Sequence, residues 1–345
     1  MNRITTLFNR VCFWHAGLVA LGLFFCVPSA PASPPKLDDL YKPGPDSMKQ
    51  DGVPSGKIIG PLTLPSNVFT NTTRNYWIYV PAQYDPAIPA CLMIFQDGHA
   101  FVNTNGEYRV PTVCDNLIYR REMPVTICVF INPGHTPSQT ESTDQEWGDR
   151  SNNRALEYND LNDDYTRLIV DELLPAIQKD YRISPRPEDR AVGGASSGAI
   201  CAFTVAWHRP DQFGKVISCI GSFTDLRGGH VYPDLIRQSE RKPIRIYLQD
   251  GVNDNRGRGR TPESPYNPKR DWHAQNIKMV AALTEKGYDV NYCWGIGTHS
   301  GKQGGAIMPE MLRWIWRDYP RTDDPADDSN RKPFDPAPGS SGAVK

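Results

Sequence analysis

The sequence predicts a one-domain α/β fold: a mostly parallel sheet with helices on both faces and no large cap. Three observations predict it. Short apolar runs alternate with segments of helical periodicity from Arg74 to Tyr319, with no linker-like break. Runs such as 91–95 and 125–131 are apolar at nearly every position, as strands buried on both faces are. One Gly-x-Ser-x-Gly, Gly194 to Gly198, stands between a strand-like and a helix-like segment.

The elements follow in chain order. Arg3 and Arg10 flank the start of a mostly apolar stretch, 11–27, without Lys, Arg, Asp or Glu. Ala30-Pro31-Ala32 before Ser33 fits a small-x-small cleavage pattern. Residues 1–32 are therefore expected to be a secretory signal and the protein to be secreted or periplasmic. A retained anchor is the alternative, because the apolar run is slightly long. No other segment could span a bilayer, so no stable membrane insertion is expected after signal removal. Residues 33–56, rich in Pro, Gly and charge, read as a linker or loose arm. The domain is expected over 57–320. Its strands are predicted at 57–64, 74–80, 91–95, 125–131, 190–192, 216–220, 244–248 and 290–294. Its helices are predicted at 111–121, 163–179, 197–208, 276–286 and 307–319. Residues 133–162 form the longest irregular stretch, and 321–345 read as a disordered tail.

A formal charge of −1 over 345 residues, without a basic stripe, argues against a nucleic-acid partner. Oligomeric state is not fixed by the sequence. Six cysteines lie outside the signal: Cys91, Cys114, Cys128, Cys201, Cys219 and Cys293. Most lie in or beside apolar strand-like runs, where free thiols pack well, so no disulfide framework is expected, though one bridge is possible. No Cys-x-x-Cys or His-x-x-x-His spacing suggests a metal, and no cofactor is expected.

The chemistry centres on Ser196. A serine on a sharp turn between strand and helix, flanked by small residues, projects its hydroxyl alone over a helix N-terminus that favours negative charge. This is the nucleophile elbow of an α/β-hydrolase fold. A serine needs a base, and the base a carboxylate; in this fold the chain order is Ser, acid, His. Of the histidines beyond the helix-like segment that follows Ser196, His230, His273 and His299, the last sits in Gly295-Ile-Gly297-Thr-His299-Ser-Gly301, after a strand and before the last helix. It is the expected base. Asp250 and Asp254 compete as acid. Gly251 permits a turn that carries Asp254 past the strand end, so Asp254 is favoured. The oxyanion hole is expected from the backbone amides of Ser197 and of His99 in Gln96-Asp97-Gly98-His99.

Arg154, Glu157 and Tyr158, in the long irregular stretch, could hydrogen-bond a sugar or clamp a carboxylate. Equally, they could form an ion pair tying the loop to the body. Trp147 and Trp272 could stack on a sugar or aryl acyl group, or pack under loops.

Together, Gly194-Ala-Ser196-Ser-Gly198, the Asp97-Gly98 loop, Gly251-Val-Asn-Asp254 and His299 resemble the putative-esterase family of α/β-hydrolases. That family includes enterochelin, feruloyl and acetyl-xylan esterases, S-formylglutathione hydrolase and secreted mycolyltransferases. The stretch His208-Arg-Pro-Asp-Gln-Phe-Gly is similar to the one that follows the elbow helix in that family, and Asn153-Arg154-Ala-Leu-Glu157-Tyr158 and Glu172-Leu-Leu-Pro175 resemble its secreted bacterial branch. The resemblance runs from about Lys57 to Tyr319. It implies a triad of Ser196, Asp254 and His299, with the amides of His99 and Ser197 as oxyanion hole. One departure is Ser197, where many members carry a bulky residue, often Met; this bears on pocket shape rather than on the backbone amide. The expected activity is hydrolysis of small-molecule or polysaccharide-linked carboxylic esters, feruloyl or acetyl. The alternatives are a siderophore trilactone esterase, an acyltransferase using the same triad, and a non-catalytic carbohydrate-binding relative.

Overall fold

The computed structural model describes residues 36–139, 153–257 and 264–317. The expected signal, 1–32, and tail, 321–345, lie outside these residues. Eight strands form one sheet among them: β1 Lys57–Ser66, β2 Thr72–Val80, β3 Cys91–Gln96, β4 Thr126–Ile131, β5 Arg190–Ala195, β6 Lys215–Cys219, β7 Arg245–Gly251 and β8 Asp289–Gly295. Their order is β1-β2-β4-β3-β5-β6-β7-β8. The β1·β2 and β2·β4 pairs are antiparallel, and every pair from β4 to β8 is parallel. This is the α/β-hydrolase fold.

Among the described residues, nine α-helical elements surround the sheet: α1 Gly98–Val102, α2 Val110–Tyr119, α3 Arg154–Asn159, the composite α4 described next, α5 Ser197–His208, α6 Tyr232–Gln238, α7 Trp272–Glu285, α8 Gly301–Ala306 and α9 Met308–Ile315. The composite α4 begins as Asp164–Arg167, passes through a π-helical stretch, Leu168–Leu173, and ends as Leu174–Gln178.

Side chains alternate across each strand, so one run serves two cores. Leu92, Ile94, Val129, Val192, Val216 and Ile246 meet Leu168, Phe203 and Met279 from α4, α5 and α7. On the other face Met93, Phe95, Cys128, Phe130 and Ile217 meet Val113, Leu117, Met311 and Ile315 from α2 and α9. Both faces are covered, which is why the central strands read as unbroken apolar runs. Every residue of α5 except His208 is buried. Its Gly, Ala, Ser and Cys residues let it lie close against the sheet.

Several boundaries differ from the sequence expectation. The helix expected at 276–286 starts at Trp272, because the Asp271 carboxylate accepts the Ala274 amide at 3.0 Å and caps a polar first turn that apolar periodicity does not mark. The helix expected at 307–319 is the shorter α9, Met308–Ile315; α8, Gly301–Ala306, precedes it, and Ile307, two residues before Pro309, separates the two. The irregular stretch 133–162 contains α3, too short for periodicity to reveal.

The supposed loose arm is docked over its described residues, 36–56. Asp46 pairs with Arg120 at 2.7 Å and also with Arg313. Asn116 Nδ2 donates to the Asp46 and Met48 carbonyls. Composition suggested looseness, but the arm's charges and carbonyls have partners on α2 and α9. All six cysteines are free; Cys114 and Cys128 Sγ stand 3.7 Å apart without a bond. Among the described residues, no helix is long and apolar enough to cross a membrane.

Candidate active site

The site lies at the carboxyl ends of β5, β7 and β8, where ligands of parallel sheets bind. Ser196 links β5 to α5 at φ 55°, ψ −120°, a strained conformation for a residue with a Cβ. The flanking glycines make the turn possible. A Cβ on Gly194 would lie 2.4 Å from the Gly198 carbonyl group. The Ser197 amide stands in the first turn of α5, where helix geometry leaves it no acceptor of its own.

Three side chains converge here. Ser196 Oγ lies 2.8 Å from His299 Nε2, and His299 Nδ1 lies 2.7 Å from Asp254 Oδ1. With Nδ1–H donating to the carboxylate, Nε2 is left as acceptor for the serine proton. Asp254 is buried, while His299 keeps about a quarter of its side chain exposed. The competing acid, Asp250, is also buried but accepts from the Gly251 amide at 2.7 Å and from Asn276 Nδ2 at 2.9 Å. The turn between the two acids works differently from the expectation. Gly251 is not in the left-handed region; a Cβ there would lie 2.0 Å from the Gly297 carbonyl oxygen. Gly251 therefore lets the acid loop press on the histidine loop, and Val252 and Asn253 amides bond Gly295 and Gly297.

The histidine loop is held from the other side by the N-terminal arm. Asp38 Oδ1 accepts the Thr298 amide at 2.8 Å, and its Oδ2 accepts the Thr298 hydroxyl. The Ile296 amide donates to Tyr41 Oη at 2.7 Å, and Lys302 pairs with Asp39 at 2.7 Å. The other two histidines are elsewhere. His273 packs against Trp294, and His230 faces Asp225 at 3.3 Å.

Four expected residues need correction. The His99 amide is not free for an oxyanion: it donates to Asn132 Oδ1 at 3.0 Å, which also contacts His99 Nδ1 at 2.8 Å. Asn132 directly follows β4, so its side chain reaches the loop leaving the neighbouring strand. Arg154, Glu157 and Tyr158 are not placed to touch a substrate; all three are buried on α3. Arg154 Nε and Nη2 grip both Asp97 oxygens at 2.7 and 2.6 Å. Glu157 pairs with Arg74 at 3.1 Å, and its other oxygen accepts the Gly134 amide at 3.0 Å. The Tyr158 hydroxyl accepts the Asp97 amide at 3.2 Å. The three side chains fasten the loop after β3 and the segment after β4 to the body. The ion-pair alternative is the one the geometry matches.

Trp272 does border the site. Its ring meets the His299 ring edge-on at 5.4 Å, and its Nε1 donates to Ser222 Oγ at 3.1 Å. Ser222 Oγ in turn lies 3.1 Å from Ser196 Oγ. Sequence reasoning missed Ser222, which no local motif marks. Trp147 lies outside the described residues. Among those residues, no group of three or more His, Cys, Asp or Glu side chains could hold a metal ion.

A family model described as "Putative esterase" matches residues 66–302. Over 219 residues the chain is 26% identical to the iron(III) enterobactin esterase of Escherichia coli O6:H1, covering 62% of this chain and 48% of that protein. It is 22% identical over 257 residues to the uncharacterized protein YbbA of Bacillus subtilis, covering 70% and 92%. Among solved structures, the enterobactin esterase of Shigella flexneri superposes with a TM-score of 0.57 at 20% identity, covering 83% of this chain and 64% of that one. A ferulic acid esterase from Anaeromyces mucronatus gives a TM-score of 0.57 at 19% identity, covering 80% and 95%. At these identities the structural likeness establishes the fold. The chain spans about half the length of the enterobactin esterases it matches in sequence. The family match takes in the elbow, the acid loop and the histidine loop together, and the chain belongs to the putative esterase family.

Proposed function

We propose that this protein is a serine esterase that hydrolyses carboxylic esters through an acyl-enzyme. The observation that carries this reading is the unbroken chain from Ser196 Oγ through His299 to Asp254, at 2.8 and 2.7 Å. His299 takes the Ser196 proton as the oxygen attacks the ester carbonyl. Asp254 fixes the imidazole tautomer and stabilises its charged form. The Ser197 amide and the N-terminus of α5 meet the oxyanion, a donor of this kind contributing about 3 kcal/mol in the transition state. The His99 amide joins only when its bond to Asn132 is released. His299 then protonates the leaving alcohol, and water returns the acid and free enzyme.

For the substrate we propose a phenolic or carbohydrate-linked ester. Among the structural relatives, one is an enterobactin esterase solved with 2,3-dihydroxy-N-benzoyl-serine and another a ferulic acid esterase solved with ferulic acid; both ligands are phenolic acids. The sequence match to an enterobactin esterase favours a siderophore trilactone as the second reading. A fluorophosphonate is expected to label wild type once, on Ser196; an unlabelled Ser196 in folded protein would overturn the reading. Turnover of methyl ferulate, acetylated xylan and a catecholate trilactone then ranks the substrates.

The arm contacts give a separate prediction. Asp38→Ala removes the acceptor of both Thr298 donors, one residue before His299. It is expected to lower kcat about 10-fold by letting the imidazole drift, with KM little changed. Equal kcat in both proteins would show that the arm does not position the base.

A further inference from the structure

The loop leaving β6 wraps the nucleophile elbow. The Ser196 amide donates to the Cys219 carbonyl at 2.9 Å, and the Ser222 amide donates to the Ser196 carbonyl at 3.1 Å. Ile220, between Cys219 and Ser222, sits at φ 43°, an unfavourable region for a β-branched residue. Helix α7 holds the loop in that shape with two side chains one turn apart. Asn276 Nδ2 donates to the Gly221 carbonyl at 2.9 Å, and Trp272 Nε1 donates to Ser222 Oγ at 3.1 Å. Ser222 is buried there, with its Oγ 3.1 Å from Ser196 Oγ.

The direction of these bonds follows from the protons each group owns. An indole nitrogen only donates, so Ser222 Oγ accepts from Trp272 and its own proton is left for Ser196. At the other end His299 Nδ1–H is engaged by Asp254, so Nε2 accepts the one hydroxyl proton of Ser196. Ser196 Oγ then has no proton to give Ser222 and accepts from it.

We propose that Ser222 is a further catalytic residue, its hydroxyl donating to Ser196 Oγ, and that Trp272 is the positioning residue that orients that hydroxyl. The proposal rests on the triad reading above. As Ser196 attacks, one Oγ lone pair forms the bond to the ester carbon, the carbonyl π pair moves onto its own oxygen, and the Ser196 proton goes to His299. The Ser222 proton stays on Ser222 and holds the other Oγ lone pair, which fixes the rotamer of the nucleophile. In deacylation water gives its proton to His299 as it adds to the acyl carbon. The acyl–Oγ bond then breaks, its electron pair returns to Oγ, and His299 gives the proton back to Oγ. Negative charge grows on Oγ in that step, so a donor beside it stabilises the transition state more than the ester.

Trp272 also meets the His299 ring, so its two contacts have to be separated. Trp272→Phe keeps an aromatic ring there and removes the N–H. Wild type, Ser222→Ala, Trp272→Phe and the double variant are compared in kcat and KM for p-nitrophenyl acetate, in the rate of inactivation by a fluorophosphonate, and in melting temperature. Ser222→Ala is expected to lower both kcat and the inactivation rate about 10- to 30-fold, with KM and melting temperature little changed. A purely structural role would instead move the melting temperature. Trp272→Phe is expected to lose about 3-fold alone and nothing further in the Ser222→Ala background, because it acts through Ser222. Activity of Ser222→Ala within about 2-fold of wild type overturns the role of Ser222. A Trp272→Phe loss as large in the Ser222→Ala background as alone overturns the role of Trp272. If Ser222→Ala does not fold, Ser222→Cys, similar in size and a weaker donor, is judged by the same criteria. Turnover surviving in Ser196→Ala sinks the triad reading; an inactive Ser196→Ala beside a fully active Ser222→Ala sinks this proposal alone.

Discussion

Ser196→Ala is expected to yield a folded protein whose kcat for p-nitrophenyl acetate is lower by about 10⁴- to 10⁶-fold. The substitution removes one oxygen and nothing else. That oxygen lies 2.8 Å from His299 Nε2, on the residue that caps α5 beside its first-turn amides. Its loss costs the hydrogen bonds to His299 and Ser222, about 1 kcal/mol each, so the melting temperature should move by a few degrees at most. The strained backbone at φ 55° is as unfavourable for alanine as for serine and does not distinguish the two. Residual activity should come from the Ser197 amide and from binding alone. His299→Ala should fall nearly as far, and the double variant little further, because the two groups act as one unit. Release of p-nitrophenolate by the single variant within 10-fold of wild type would remove Ser196 from the mechanism.

The elbow was legible because its chemistry is local. Five adjacent residues carry the turn, and its first glycine answers to an atom inside it: Gly194 meets Gly198. The parallel sheet was legible for a similar reason, since a strand covered on both faces must be apolar throughout. Asp254 and His299 could be placed by chain order, and the structure brings both to Ser196. What the sequence does not carry is the identity of a distant partner. Arg154 is a cation in a loop until Asp97, 57 positions earlier, is seen beside it. Glu157 has the same relation to Arg74, 83 positions away, and Asp38 to Thr298, 260 positions away. The His99 amide was a sound expectation from its place after β3; only folding shows that Asn132 already holds it. Gly251 was credited with turning freely, whereas its contact with the Gly297 carbonyl is what excludes a side chain.

Arg154→Ala is expected to destabilise the fold by about 3–5 kcal/mol, read as a lower midpoint in urea. Its guanidinium is the charge partner of Asp97, whose side chain is completely buried at the end of β3. Asp97 cannot escape to water, because it occupies the left-handed region at φ 55° just before α1 and its amide is tied to Tyr158. Removing the arginine strands a carboxylate behind the Ser196 turn, close enough that a Cβ on Gly198 would lie 2.9 Å from its oxygen. A loss of this size is a large share of the 5–15 kcal/mol that holds a typical domain together. Adding Asp97→Asn should restore part of it, since a neutral amide is less costly to bury than an unpaired charge. Recovery in the double variant separates a stranded charge from simple loss of packing, which a second substitution could not repair. A single variant as stable as wild type would mean that Asp97 is neutralised some other way, and that α3 does not anchor the loop after β3.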